Sequence, residues 1–129
     1  MPLLQFDMIE GRSENEIQTL LDTAHQVVLD AFKVPERDRY QIVQENKARN
    51  MVFQDTGLGF SRTEKFVMVR VFTSPRSDEQ KQYFMKRLAE EFQRVCGIEG
   101  NDLMISFISN NKGDWSFGYG EAQYMTGTL

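Results

Sequence analysis

Pro2 follows Met1 directly and opens the strand-like run Leu3-Leu4-Gln5-Phe6. Removal of Met1 leaves a free secondary amine there, with a proton affinity near or somewhat above the ~7.7–8.0 of ordinary α-amines. Apolar burial lowers that value and makes a base, whereas nearby carboxylates hold the amine cationic and make an acid. Two further groups can work with it. Asp38, in Glu36-Arg37-Asp38-Arg39, is a carboxylate able to activate water or carry a proton, and Arg76, in Pro75-Arg76-Ser77, is a guanidinium able to grip a carboxylate through two hydrogen bonds. An amine, an acid and a cationic clamp suit small keto acids. Each also has a plainer reading: proline is common at the second position, Asp38 fits a turn or strand end, and Arg76 fits a solvated charge. With Met1 retained, the Pro2 nitrogen is an amide and is neither base nor acid.

An internal repeat supplies the elements that must position these groups. Ile17, Leu20, Leu21, Ala24, Val28, Ala31 and Phe32 recur at helical spacing behind a Ser13/Glu16 capping box, predicting a helix over 13–32. Phe84, Met85, Leu88, Phe92, Val95 and Cys96 predict another over 77–96, with Ser77 as its cap. A shift of 64 residues carries Leu20 onto Phe84, Val28 onto Phe92, Phe32 onto Cys96, Arg12-Ser13 onto Arg76-Ser77 and Asp38 onto Asp102. Strand-like runs flank each helix, at 2–8 and 39–45 and again at 66–73 and 103–109. The chain therefore reads as one α/β (α+β) domain over 1–129, made of two βαβ copies (2–45 and 66–109). They form a four-stranded sheet with two helices on one face and an aromatic tail over 110–129. Residues 46–63 read as a turn-rich excursion with a short extra strand.

If the first strands of the two copies pair antiparallel, the start of one lies beside the end of the other. Pro2 then neighbours residues 73–76, and Asp38 joins them because strands within a copy run parallel. The run 66–72 is apolar on both alternating faces. Two helices cover only one face, so sister subunits are the expected cover for the other, with the tail as the alternative.

Composition narrows the function. The net charge is −4, with 15 Lys and Arg interspersed among 19 Asp and Glu, so no basic stripe awaits a nucleic acid. Cys96 is the sole cysteine, which fits a reducing compartment and inert packing. His25, the one histidine, fits packing or surface. No metal-ligand spacing occurs, and Gly57-Leu58-Gly59 lacks the rest of a phosphate loop, so no metal or other cofactor is expected. No membrane span or signal-type leader is read, giving an expected cytoplasmic location.

Pro2-Leu3-Leu4, Ile9-Glu10-Gly11-Arg12, Asp38-Arg39-Tyr40-Gln41, Asp55-Thr56-Gly57-Leu58-Gly59, Pro75-Arg76-Ser77, Asp114-Trp115-Ser116-Phe117-Gly118 and Thr126-Gly127 occur in order along the chain. Together they resemble the tautomerase superfamily, which includes oxalocrotonate tautomerase and macrophage migration inhibitory factor, and within it the malonate semialdehyde decarboxylase branch. The resemblance implies a homotrimer and catalysis by the N-terminal proline. Pro2 matches the catalytic proline, Asp38 the aspartate and Arg76 the carboxylate-binding arginine, while Trp115, Phe117, Tyr124 and Leu129 fall where that branch builds an apolar wall. The decarboxylase-type pattern has a second arginine two residues before Arg76. Here Ser74 stands in its place, which bears on how substrate is oriented.

The leading expectation is a cofactor-free tautomerase acting on a small 2-oxo acid or enol through neutral Pro2. A decarboxylase or hydratase acting on a 2-oxo or 3-oxo acid through cationic Pro2 is the alternative. Asp38 near the amine favours the cationic form, and Ser74 speaks against decarboxylation. A non-catalytic trimeric binding protein is the third reading.

Overall fold

The computed structural model covers residues 1–129. Strand β1 (Leu3–Ile9) leads through helix α1 (Glu14–Phe32) to β2 (Tyr40–Asn46), and β3 (Val67–Thr73) leads through α2 (Asp78–Cys96) to β4 (Leu103–Ser109). The sheet order is β2-β1-β3-β4. Each βαβ copy pairs its strands parallel, and the copies join where β1 and β3 run antiparallel. The repeat is thus seen in three dimensions. Both helices have 19 residues and all four strands have 7.

Local chemistry fixes the helix starts. Ser13 accepts from the Glu16 amide while the Glu16 side chain accepts from the Ser13 amide. Ser77 and Gln80 repeat the same reciprocal cap on α2, so two of the donors left unpaired at each helix start are satisfied. The helices end on left-handed residues, Lys33 with φ 54° and Gly97 with φ 66°. Glycine takes that conformation without strain, whereas Lys33 carries a Cβ penalty.

The core lies between the helices and one face of the sheet. The register aligns Leu4 with Val71, Phe6 with Val69 and Met8 with Val67. These six residues join Leu20, Ala24, Val28, Phe84, Leu88 and Phe92 in one buried cluster. On the opposite face Ile42, Met104 and Ile108 are exposed. The tail covers only a corner of that face, where Phe117 stacks on Tyr40 at the start of β2 with ring centroids 5.7 Å apart. It turns through a 3₁₀ segment (Lys112–Asp114) and a short helix α3 (Gln123–Thr126). No helix is long and apolar enough to cross a membrane.

The expected extra strand is absent. Between β2 and β3 the only regular element is a 3₁₀ turn at Ala48–Asn50. The Asp55 carboxylate instead accepts hydrogen bonds from the amides of Gly57, Gly59 and Phe60. A side chain that satisfies three backbone donors competes directly with strand pairing, and Thr56, Gly57 and Gly59 at positive φ close the turn around it.

Candidate active site

The register brings the expected residues to one end of the sheet. Leu3 lies beside both Tyr40 and Phe72. Pro2, one residue earlier, therefore sits between the segment carrying Asp38 and the end of β3 that leads into Arg76. Pro2 is buried. The terminal ammonium belongs to Met1, a primary amine one residue ahead of the secondary amine that processing leaves on Pro2. It lies 3.8 Å from Asp38 Oδ2.

Asp38 is the anomaly of the chain. It is only 7% exposed, and neither carboxylate oxygen has a hydrogen-bond partner. Its backbone amide donates to the Pro35 carbonyl at 2.9 Å, and buried His25 holds the Glu36 carbonyl through Nε2 at 2.8 Å. The loop is pinned while the acid is left free. Burial pushes the Asp38 carboxyl above its ordinary range, opposed in turn by the terminal amine, Arg76 and His25. A buried polar group without partners is costly, so such a group persists where function needs it.

Arg76 donates through Nε to Thr73 Oγ1 at 3.2 Å and lies over the Phe32 ring, 5.0 Å from its centroid. The aromatic face holds the guanidinium and leaves its remaining donors for a ligand. The terminal amine is pushed below its ordinary 8.0, first by burial and then by Arg76, against the pull of Asp38, with Lys112 adding a further lowering. For the Met1 amine, the pull of Asp38 toward the cationic form is outweighed. Asp38 is itself made harder to ionise by burial, so its field does not outweigh desolvation and two cations.

The tail forms an aromatic wall. Trp115 and Phe117 stack with centroids 5.7 Å apart, and Tyr124 meets Phe117 edge-on at 5.6 Å. Trp115 Nε1 donates to Asn110 Oδ1 at 2.8 Å, and the Asn110 amide donates to the Thr73 carbonyl, tying the tail to the end of β3. Leu129, expected in the wall, is 66% exposed, its amide donating to the Gln123 carbonyl. Ser74 is half-buried, and its carbonyl accepts from Thr73 Oγ1 at 3.0 Å.

The opposite end of the sheet, related by the repeat, is spent on structure. Clefts around Arg12, lined by Glu16 and Cys96, lie at this end. Yet Arg12 donates to the Lys65 carbonyl at 2.6 Å, and Asp102 accepts from the Thr63 amide and hydroxyl. Cys96 stands where Phe32 supports Arg76, and Phe66 stands where Pro2 should be. No cluster of three or more His, Cys, Asp or Glu side chains is placed to hold a metal ion.

A family model described as tautomerase enzyme matches residues 38–118, and another with the same description matches residues 2–61. The chain belongs to the tautomerase family. The "Probable tautomerase YrdN" of Bacillus subtilis (strain 168) is 51% identical over 129 residues, covering 100% of both chains. A crystal structure of malonate semialdehyde decarboxylase, described for its decarboxylase and hydratase activities, is 45% identical and covers 98% of each chain with a TM-score of 0.96. A fused 4-OT described as a wild-type symmetric trimer is 20% identical, covers 97% of this chain and 98% of its own, and has a TM-score of 0.79, which shows a shared tautomerase fold. The protein is accordingly an enzyme of this family.

Sequence reasoning missed several residues that shape this end of the tautomerase fold. Gln123 accepts from the Phe117 amide through Oε1 and donates to the Gly118 carbonyl through Nε2, clamping the loop that presents the wall. Thr73, Phe32 and Tyr40 support Arg76 and Phe117. The sequence placed Phe32 only in the α1 stripe, Tyr40 only in the Asp38-Arg39-Tyr40-Gln41 motif and Thr73 only as a neighbour of Pro2, with no part in supporting Arg76 or Phe117.

Proposed function

We propose that the chain is a cofactor-independent tautomerase acting on a small 2-oxo acid or its enol, with the Pro2 amine as general base and acid after removal of Met1. The carrying observation is that buried Pro2 lies at the same end of the sheet as Arg76 and Asp38, the latter a buried carboxylate left without hydrogen bonds, where burial and Arg76 lower the proton affinity of the neighbouring Met1 amine. In this reading Arg76 grips the substrate carboxylate. Neutral Pro2 takes a proton from one atom of the substrate and returns it at another. Asp38 orients the substrate or relays the proton, and Trp115, Phe117 and Tyr124 shield the reacting atoms from water.

The pH dependence tests this. A neutral amine is required, so kcat/KM for ketonisation of the enol of a phenylpyruvate-like acid should rise with pH. It should level off once the Pro2 amine is deprotonated. A rate that falls as that amine loses its proton would mean the cation is the working form.

The cationic form belongs to the second reading, a decarboxylase or hydratase acting on a 2-oxo or 3-oxo acid. The 45% identity with malonate semialdehyde decarboxylase favours it. Ser74 stands against it, since a hydroxyl does not supply the second guanidinium of that pattern.

The working assembly in this reading is a homotrimer. Its support is the apolar face left uncovered by the helices, where Ile42 is 49% exposed and Met104 and Ile108 are each 39% exposed, together with the trimeric description of the fused 4-OT relative. Light scattering at micromolar concentration should give three chains of 15.0 kDa. A monomer there would remove the sister subunits as the cover for that face.

A further inference from the structure

Asp38 is placed by backbone alone. Neither of its carboxylate oxygens has a hydrogen-bond partner, and the Met1 ammonium 3.8 Å away is lost on processing. Its position therefore follows from the turn in front of β2, which is closed by the bond from the Asp38 amide to the Pro35 carbonyl at 2.9 Å. Inside that turn the Glu36 carbonyl is held by His25, which reaches across from α1 through Nε2 at 2.8 Å. A carbonyl only accepts, so Nε2 carries the proton. Among residues 33–38 this is the only side-chain hydrogen bond. Beyond Asp38 the same helix takes hold again, with Asp22 accepting from Arg39 and the Leu21 carbonyl from Gln41. His25 is 3% exposed, on the stripe of α1 that also buries Ala24 and Val28. An imidazole there costs free energy that an apolar residue would not.

In the repeat, this grip goes with the free acid. The 64-residue shift sets Ala89 opposite His25 and Asp102 opposite Asp38. Asp102 needs no such anchor, because the Thr63 amide and hydroxyl bond its two oxygens directly. A donor is spent either on the carboxylate or on the backbone behind it, and only the second choice leaves the acid open to a ligand. Resting on the reading of this end of the sheet as the active site, we propose that His25 is a positioning residue for the reaction. Its Nε2–H fixes the Glu36 carbonyl and so sets where the Asp38 carboxylate stands relative to the Pro2 amine. Arg76 follows β3 and is held by Thr73 and Phe32. His25 therefore acts on proton handling and not on the grip of the substrate carboxylate.

The test compares two variants in processed protein whose loss of Met1 is verified by intact mass. His25→Leu fills the space without a donor, and His25→Gln returns an N–H at a similar reach. In enol ketonisation His25→Leu should lower kcat about tenfold with KM within about twofold, the effect of a shift well under ~1 Å in a catalytic group. His25→Gln should recover most of that loss. Melting curves establish that the variants are folded, and His25→Asn, whose amide is too short to reach Glu36, replaces His25→Leu if the latter does not fold. In an Asp38→Asn background His25→Leu should lower kcat no further, whereas a general loosening of the core would lower it as before. An unchanged kcat in folded His25→Leu, a His25→Gln protein no better than it, or an equal loss in the Asp38→Asn background overturns the inference. Titration of the Pro2 nitrogen by NMR separates it from the tautomerase reading. A carboxylate beside an amine raises its proton affinity, so Asp38→Asn and His25→Leu should both lower the midpoint, with Arg76 and Lys112 left in place. A processed wild type that fails to ketonise overturns the tautomerase reading. His25→Leu without the shift seen in Asp38→Asn, or no shift in either, overturns the role of His25.

Discussion

Pro2→Ala is expected to lower kcat/KM for enol ketonisation by about two orders of magnitude, the low end of what a positioned general base contributes, because alanine keeps a terminal amine but loses the secondary one fixed in its ring. The fold should survive. Pro2 precedes β1 and donates no backbone hydrogen bond, and the core beneath it is made by Leu4, Phe6 and Met8, which the substitution leaves in place. The measurement is steady-state kinetics on wild type and variant, each with loss of Met1 verified by mass. Unprocessed protein provides a second arm, since its Pro2 nitrogen is an amide and its terminal amine belongs to Met1, 3.8 Å from Asp38. That form should be inactive. An unchanged rate in Pro2→Ala removes Pro2 from the mechanism.

Arg76→Ala should cost about 2–4 kcal/mol in kcat/KM, as when one partner of a desolvated charge pair is deleted. The loss should appear for every carboxylate substrate, because Arg76 lies over Phe32 with donors free and has no carboxylate of the chain to bind. Arg12→Ala is the internal control supplied by the repeat. Arg12 bonds the Lys65 carbonyl across 53 residues of sequence, so its loss should lower stability by about 1 kcal/mol, the worth of one hydrogen bond. It should affect turnover less than melting temperature. If Arg12→Ala abolished turnover in a well-folded protein while Arg76→Ala was neutral, the active end of the sheet would be assigned the wrong way round.

Much of this architecture is legible in the sequence. The helical stripes and capping boxes are local signals, so both helices lie where they were expected, and the shift that carries Leu20 onto Phe84 fixes the duplicated βαβ topology. Given that topology, Pro2, Asp38 and Arg76 had to share one end of the sheet, because parallel pairing within a copy and antiparallel pairing between copies leave no other arrangement. The excursion was misread for an equally local reason. A short strand was expected within it, but the pattern of Asp55 hydrogen bonds that replaces strand pairing depends on loop geometry rather than hydrophobic period.

Energetics beyond pairwise proximity were not in the sequence. That Asp38 is buried with both oxygens unpaired, while its repeat partner Asp102 is bonded twice by Thr63, depends on which loop folds over which end of the sheet. The sign of the shift on the Met1 amine depends on the same packing: the pull of Asp38 is outweighed by desolvation and the fields of Arg76 and Lys112. The tail shows the same division. The family resemblance implied a wall there, yet only the three-dimensional path through Gln123 decided that Phe117 stacks on Tyr40, that Leu129 stays exposed, and that Lys112 comes to rest on Tyr124. Periodicity and spacing determine which residues can meet, because they act through backbone geometry. Charge states and free donors are settled by how much water the finished packing excludes, and that is a property of the whole chain.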